Sequence, residues 1–322
     1  MAELTVNIGK VKEARGRIAD RVRRTPLLRA DKLDPLAGAE VYLKPENLQL
    51  TGSFKIRGAM NKVLSLSDEE RGKGVIAASS GNHAQGVAYA SKILGVKATV
   101  VLPEHAPQIK IDGAKSLGAV VVLHGKSATD RYEKLYELKA QNGYTLVHSY
   151  DDPDLIAGQG TAGLEITEDL PDVGTVVVPL GGGGLMAGIA VAVKESSPGT
   201  RVIGVEPESI ARYTASLKAG KPMDVDLGPT LADGLMVTSA GKHTYPLIEK
   251  YVDEVVTASD SFIRKAFAEI LFKGKVLAEP SAAVGLAALM EGKFKAKKGE
   301  KICFFLSGGN VDPEKLLSLL KS

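Results

Sequence analysis

The sequence predicts an α/β protein with two open parallel-sheet domains, and three observations carry that prediction. Short β-branched runs alternate with longer helical stretches, the apolar runs are continuous rather than alternating, and the pattern occurs twice along the chain. Strands covered by helices on both faces read as unbroken apolar runs, whereas hairpin strands alternate with polar residues. A chain of 322 residues is long enough for two domains, and 44% hydrophobic with 25% charged residues excludes disorder and fibres. With no Trp and 35 Gly, the interior must be filled by small aliphatic side chains at close backbone approach, which suits α/β layering.

The first set runs "GVIAAS", "GNHAQGVAYASKILG", "ATVVLP", "APQIKIDGAKSLG" and "AVVVLHG", giving strands expected to be buried on both faces with crossover helices between them. The helix "SATDRYEKLYELKAQNG" and the turn-rich "HSYDDPDLIAGQG" follow, and the chain is expected to pass between domains near residue 151. The second set supplies the strands "TVVVPL", "RVIGVE" and "KICFFLS".

Charge and cysteine usage narrow the partners. The formal charge of +3 comes from 41 basic and 38 acidic residues spread along the chain, so no basic face for nucleic acid is expected and a small-molecule partner is. No stretch approaches the roughly 20 apolar residues of a membrane helix, and the start lacks a signal peptide's apolar centre. A single cysteine, Cys303, lies in "ICFFL" and is expected to be buried and inert, which fits a reducing cytoplasm.

In open parallel sheets ligands gather at the carboxyl ends of strands. Four such places stand out: "SSGNHAQG" after "VIAA", "GGGGLMAG" after "VVVPL", "EPES" after "VIGV" and "SGGN" after "CFFL". In "PLGGGGLMAG", Gly181, Gly182, Gly183 and Gly184 with Leu185 stand between a strand and an apolar helix, where successive backbone N–H groups can face one anion. A flexible turn is the plain alternative. A sharper rival is dinucleotide binding, since Gly182, Gly184 and Ala187 fit G-x-G-x-x-A and Glu206 ends the next strand. In "SSGNHAQG", Ser79, Ser80, Gly81, Asn82 and His83 offer hydroxyls, an amide and a helix start to a carboxylate or ring oxygen, against the alternative of a polar N-cap. His83 has no partner at metal spacing, so no metal is assigned. Ser307 in "LSGGN" and Glu279 in "AEPSA" are each open to ordinary readings, a turn residue and a helix start.

"TGSFKIRGAM" adds Lys55 between Phe54 and Ile56, with Gly52 and Gly58 allowing tight packing. Lysines are mostly solvated, but a desolvated ammonium gives up its proton more readily and becomes a nucleophile for a carbonyl. A phosphate cradle beside such an amine specifies a phosphorylated aldehyde cofactor.

With these motifs assembled, the chain resembles the fold-type II pyridoxal-phosphate enzymes, and within them the threonine/serine dehydratase (ammonia-lyase) and serine racemase branch. The resemblance covers nearly the whole chain through "KPENLQLTGSFKIRGA", "SSGNHAQG", "AGQGT", "GGGGLMAGIA", "ADG", "EPSAA" and "LSGGN", in that family's order. It implies a tryptophan synthase β-like fold, with residues 1–60 and 152–322 forming a large cofactor-binding domain and 61–151 a small domain inserted in it. It further implies that Lys55 forms the Schiff base with pyridoxal 5'-phosphate and that Phe54 lies against the ring. Asn82 would bond the ring hydroxyl, Gly181 to Gly184 with Leu185 and Glu279 would complete the cofactor site, and Ser307 would bond the pyridine nitrogen. Ser79, Ser80, Gly81, Asn82 and His83 would receive the substrate carboxylate.

"GSFKIRG" and "SSGNHAQG" separate the chain from sulfhydrylase and threonine synthase relatives, which look like "SSVKDR" and "GSFKDRG". The implied reaction is dehydration of L-threonine or L-serine to 2-oxobutanoate or pyruvate plus ammonia. Lys55 and Ser80 would be the catalytic pair on opposite faces, and no C-terminal regulatory domain is expected. Arg131 resembles an arginine found near substrate in racemase and hydroxyaspartate dehydratase members, with a solvated helix charge as the alternative. Serine racemase and hydroxyaspartate or phenylserine dehydratase thus stay open, with a nicotinamide dehydrogenase as the distant rival. A divalent cation in the racemases uses the glutamate of an "EP" turn and a nearby acid. Here Glu206 is present but Arg212 stands in the acid's place. The branch implies a homodimer.

Overall fold

The computed structural model describes residues 4–79, 81–106 and 108–321. Among the described residues ten strands form two sheets: β1 (Leu28–Arg29), β2 (Glu40–Pro45), β3 (Val75–Ala78), β4 (Ala98–Leu102), β5 (Val120–Leu123), β6 (Thr145–Leu146), β7 (Thr175–Pro179), β8 (Arg201–Pro207), β9 (Glu254–Ala258) and β10 (Lys301–Leu306). The larger sheet has the order β1-β2-β10-β7-β8-β9 and the smaller β5-β4-β3-β6. All neighbours pair in parallel except β1, which runs antiparallel to β2 over Leu28 and Arg29.

Side chains alternate across each strand, so the continuous apolar runs divide between two cores. Val176, Val178, Cys303 and Phe305 point into one core of the large sheet, whereas Val177, Ile302, Phe304 and Leu306 point into the other. Cys303 is fully buried and unpaired, and burial pushes its thiol up to about 12. "AVVVLHG" departs from the expected burial on both faces: β5 is the sheet edge, with Val120 48% and Leu123 45% exposed. Its apolar residues came from sheet propensity without full cover. Among the described residues, no helix is long and apolar enough to cross a membrane.

The helix Lys55–Ser65 packs against both Asn82–Ile93 beside the small sheet and Pro153–Asp169 beside the large one. A buried network of four charges holds it. The Arg57 guanidinium donates to Glu46 at 2.7 and 2.8 Å and to Glu165 at 2.7 and 2.9 Å, while Lys44 Nζ donates to Glu165 at 2.6 Å and to the Thr25 carbonyl at 2.7 Å. Burial alone would raise the Glu46 carboxyl and lower the Arg57 guanidinium. Their mutual attraction and hydrogen bonds outweigh it, leaving Glu46 below and Arg57 above its ordinary value. Gly58 N–H adds a bond to Gln159 Oε1 at 3.2 Å.

Two carboxylates against one ammonium would remain if Arg57 were made apolar. Arg57→Met is therefore expected to lower stability by about 3–5 kcal/mol, measured by urea unfolding, because unpaired charge is left in the interior.

Candidate active site

Lys55 opens its helix directly after Phe54, and its Nζ donates to the backbone carbonyl of Ser149 at 2.6 Å. Burial lowers the amine's pKa to about 8, with the Glu279 charge opposing. A helix N-terminus also disfavours a cation. Phe54 packs edge-on against Phe305 at 6.4 Å, and its N–H donates to the Ser307 carbonyl at 3.0 Å. The carboxyl end of β10 thus delivers Ser307, which is 3% exposed, to Phe54 and Lys55. No hydrogen bond joins Ser307 Oγ to a described residue.

The carboxyl end of β3 delivers the second group. Ser79 Oγ accepts the Gly81 N–H at 3.3 Å, and Asn82 begins the following helix. Ser80 lies outside the described residues. Asn82 Nδ2 donates to the Glu279 carboxylate at 2.9 and 3.1 Å, and Asn310 Nδ2 donates to Asn82 Oδ1 at 2.8 Å. Glu279 caps the helix Pro280–Met290, and its N–H reaches the carbonyl of Gly308, next to Ser307, at 2.9 Å. His83 Nε2 meets the Val147 carbonyl at 2.8 Å. A carbonyl only accepts, so Nε2 carries the proton, and the buried Nδ1 is a lone pair that meets no donor among the described residues. Burial first and the Lys55 charge second push His83 down to about 3, so it stays neutral.

Gly181 to Gly184 follow β7, and Gly184 and Leu185 open the helix Gly184–Ser196. Gly183 adopts φ +95°, a region open to glycine, and a Cβ on Gly182 would overlap the Tyr150 ring. The backbone N–H groups of Gly182 to Leu185 meet no acceptor among the described residues, the first helical bond being Ala187 N–H to the Gly183 carbonyl at 2.8 Å. Four unmatched donors at the positive end of a 13-residue helix fit an anion such as a phosphate.

Arg131 is not drawn into this group. Its bond to a described residue is local, Nε to the Ser127 carbonyl at 3.2 Å, and burial lowers its pKa. The next residue, Tyr132, does reach the site: its ring lies 6.2 Å from that of His148, which meets the Tyr150 ring edge-on at 4.7 Å.

Residues 148–151 are the part that sequence reasoning missed. Ser149 holds Lys55, Tyr150 covers the glycine loop, and Asp151 accepts the backbone N–H groups of Lys242, His243 and Thr244 at 2.8, 2.7 and 3.2 Å. They follow β6, a two-residue strand too short to register as an apolar run. Had β6 been recognised, the rule that ligands gather after strands would have pointed there.

Glu206 does not behave as a ribose acceptor. It is fully buried, its oxygens take the N–H groups of Tyr213 and Thr214, each at 2.9 Å, and the Thr214 hydroxyl at 3.0 Å, and Arg212 lies 3.8 Å away. Among the described residues, His, Cys, Asp and Glu form no group of three that could hold a metal.

The family model described as "Pyridoxal-phosphate dependent enzyme" matches residues 18–308. The chain belongs to this family. The dinucleotide reading of the glycine run is thereby corrected: those glycines belong to a pyridoxal-phosphate enzyme. The chain is 48% identical over 307 residues to L-threonine ammonia-lyase of Thermotoga maritima, spanning 95% of this chain and 76% of that protein. Among solved structures it resembles maize serine racemase with a TM-score of 0.94 at 36% identity, covering 98% of this chain and 96% of that one. It also resembles serine racemase from Dictyostelium discoideum with a TM-score of 0.90 at 39% identity, covering 96% and 99%. Its two parallel sheets are the tryptophan synthase β-like architecture of fold-type II.

The family's cofactor fits the residues in place: unmatched N–H donors for a phosphate and a desolvated amine for an aldehyde. In cofactor-free protein, the rate at which Lys55 captures pyridoxal 5'-phosphate is expected to rise with pH about a midpoint near 8, because only the neutral amine attacks. Stopped-flow absorbance from pH 6 to about pH 10 checks this, and a midpoint near the ordinary lysine value of about 10.4 would contradict the desolvation argument.

Proposed function

We propose that the chain is a pyridoxal-phosphate-dependent ammonia-lyase that dehydrates L-threonine or L-serine to 2-oxobutanoate or pyruvate and ammonia. The observation that carries this reading is the Lys55 amine, lowered to about 8 and held beside a loop of unmatched N–H donors. Identity of 48% to a threonine ammonia-lyase supports the choice of β-hydroxy amino acids.

When bound, the cofactor supplies an aldehyde for amines and a ring that draws electrons from Cα. Lys55 Nζ, as a neutral amine, would hold the cofactor through its aldehyde. The same amine, near neutrality through burial, would take the substrate's Cα proton. The β C–O bond then breaks, and the departing hydroxyl takes up a proton to leave as water. The released unsaturated amine tautomerises and hydrolyses to the oxo acid and ammonia. Gly181 to Gly184 with Leu185 would hold the phosphate, and Phe54, Asn82 and Glu279 would flank the ring. Ser307, a hydroxyl rather than a carboxylate, would meet the ring nitrogen without fixing a proton there, which would favour prompt loss of the β-hydroxyl over a long-lived carbanion.

Ser79, Gly81, Asn82 and the neutral His83 would line the substrate carboxylate, with the helix Asn82–Ile93 presenting its positive end. Arg131 would select a second carboxylate. A Ser80 hydroxyl on the face opposite Lys55 would return a proton to Cα and allow racemisation, a second reading favoured by the likeness to maize serine racemase.

The division into 1–60 with 152–322 and 61–151 assigns the β3–β6 sheet to the inserted domain. Lys55 then starts the helix that passes from one domain to the other. A cytoplasmic homodimer completes the reading.

Lys55→Ala is expected to cut turnover by on the order of a thousandfold or more, and to remove the visible absorption band that borohydride abolishes in the parent, since the imine link and the base are lost together. Oxo-acid release from threonine, both serine enantiomers, phenylserine and hydroxyaspartate ranks the substrates. Undiminished turnover in Lys55→Ala would overturn the assignment.

A further inference from the structure

The carbonyl of Gly182 is held by two hydroxyls that no sequence motif singled out. Tyr213 Oη lies 3.0 Å from it and Thr244 Oγ1 lies 3.1 Å from it, and the hydroxyls are 2.7 Å apart. Thr244 Oγ1 also accepts the Gly241 N–H at 3.0 Å. Each hydroxyl has one proton, so if one donates to the other, the second still donates to Gly182. Tyr213 and Thr244 are fully buried, and a Cβ on Gly183 would overlap the Tyr213 hydroxyl.

This contact fixes a direction as well as a distance. A trans peptide is planar and its C=O and N–H point opposite ways, so turning the Gly182 carbonyl toward Tyr213 and Thr244 turns the Gly183 N–H away from them. That N–H is one of the loop's unmatched donors. Asp151 steadies the far side of the clamp through the backbone N–H of Thr244, while the neighbouring Tyr150 ring packs on Gly182.

We propose that Tyr213 and Thr244 are positioning residues for phosphate recognition: by clamping the Gly182 carbonyl they hold the Gly183 N–H in the orientation that meets the cofactor's phosphate. This rests on the reading of the glycine loop as the phosphate seat. The clamp acts on the phosphate alone and not on the aldehyde chemistry at Lys55.

The test compares pyridoxal 5'-phosphate with pyridoxal, which keeps the aldehyde and lacks the phosphate. In the parent the phosphorylated form should bind far more tightly; equal binding would refute the phosphate seat itself. In Tyr213→Phe/Thr244→Val, which preserves shape, the affinity for pyridoxal 5'-phosphate should fall about tenfold, with pyridoxal changed less than about twofold. The ³¹P resonance of the bound cofactor should shift. Thr244→Ser, which keeps a hydroxyl, should match the parent. Tyr213→Phe alone, the milder change, should lower the affinity ratio about threefold and serves if the double variant does not fold. A parent-like ratio and ³¹P shift in folded double or single variant, or an equal loss for both ligands, would overturn the clamp.

Discussion

Lys55 can serve as a poised amine only if its helix start is immobile, and the buried bond set around Arg57 supplies that constraint. Arg57 lies two residues beyond Lys55 and reaches Glu46 after β2 and Glu165 on the Pro153–Asp169 helix. Lys44 balances the second carboxylate, so the four charges sum to zero inside the fold. Such a cluster adds little net stability compared with apolar packing, because desolvation offsets the attraction. What it supplies is directionality: a forked guanidinium bonded on both sides permits few orientations of the helix that carries it.

The segment 148–151 passes that fixed position to the rest of the site. Its four residues contact Tyr132, Lys55, the glycine loop and the start of the Thr244–Tyr251 helix in turn. The groups proposed to meet one cofactor are therefore tied to one another through the protein, which would lower the ordering cost of binding.

The strands that were plain in the sequence are those whose two faces are both apolar, "TVVVP" and "KICFFL" among them, and the residues following them were legible for the same reason. β2 escaped notice because Glu40, Tyr42 and Lys44 break its apolar run, and the buried Lys44 is paired with Glu165, 121 residues away. The half-exposed edge strand β9 lacks a continuous core signature. Short motifs gave Lys55, Asn82 and Ser307 because each sits in a local pattern. Ser149 contributes a backbone carbonyl, and Tyr213 and Thr244 act on another backbone carbonyl. A carbonyl belongs to every residue, so no choice of amino acid advertises that role.

The electrostatics of the site follow from how few charges enter it. His83 is neutral by burial and Ser307 is a hydroxyl, which leaves Glu279 as the acid whose charge opposes the lowering of the Lys55 amine. Burial without Glu279 would drive the amine further toward permanent neutrality, and it could then no longer perform the proton transfer proposed for it. A carboxylate bonded directly to Lys55 would have the opposite fault, holding the ammonium and removing the nucleophile. Here the direct acceptor is the uncharged Ser149 carbonyl, while Glu279 is engaged by the Asn82 amide. The proposed alternation of this amine between nucleophile, base and acid near neutral pH needs that intermediate balance.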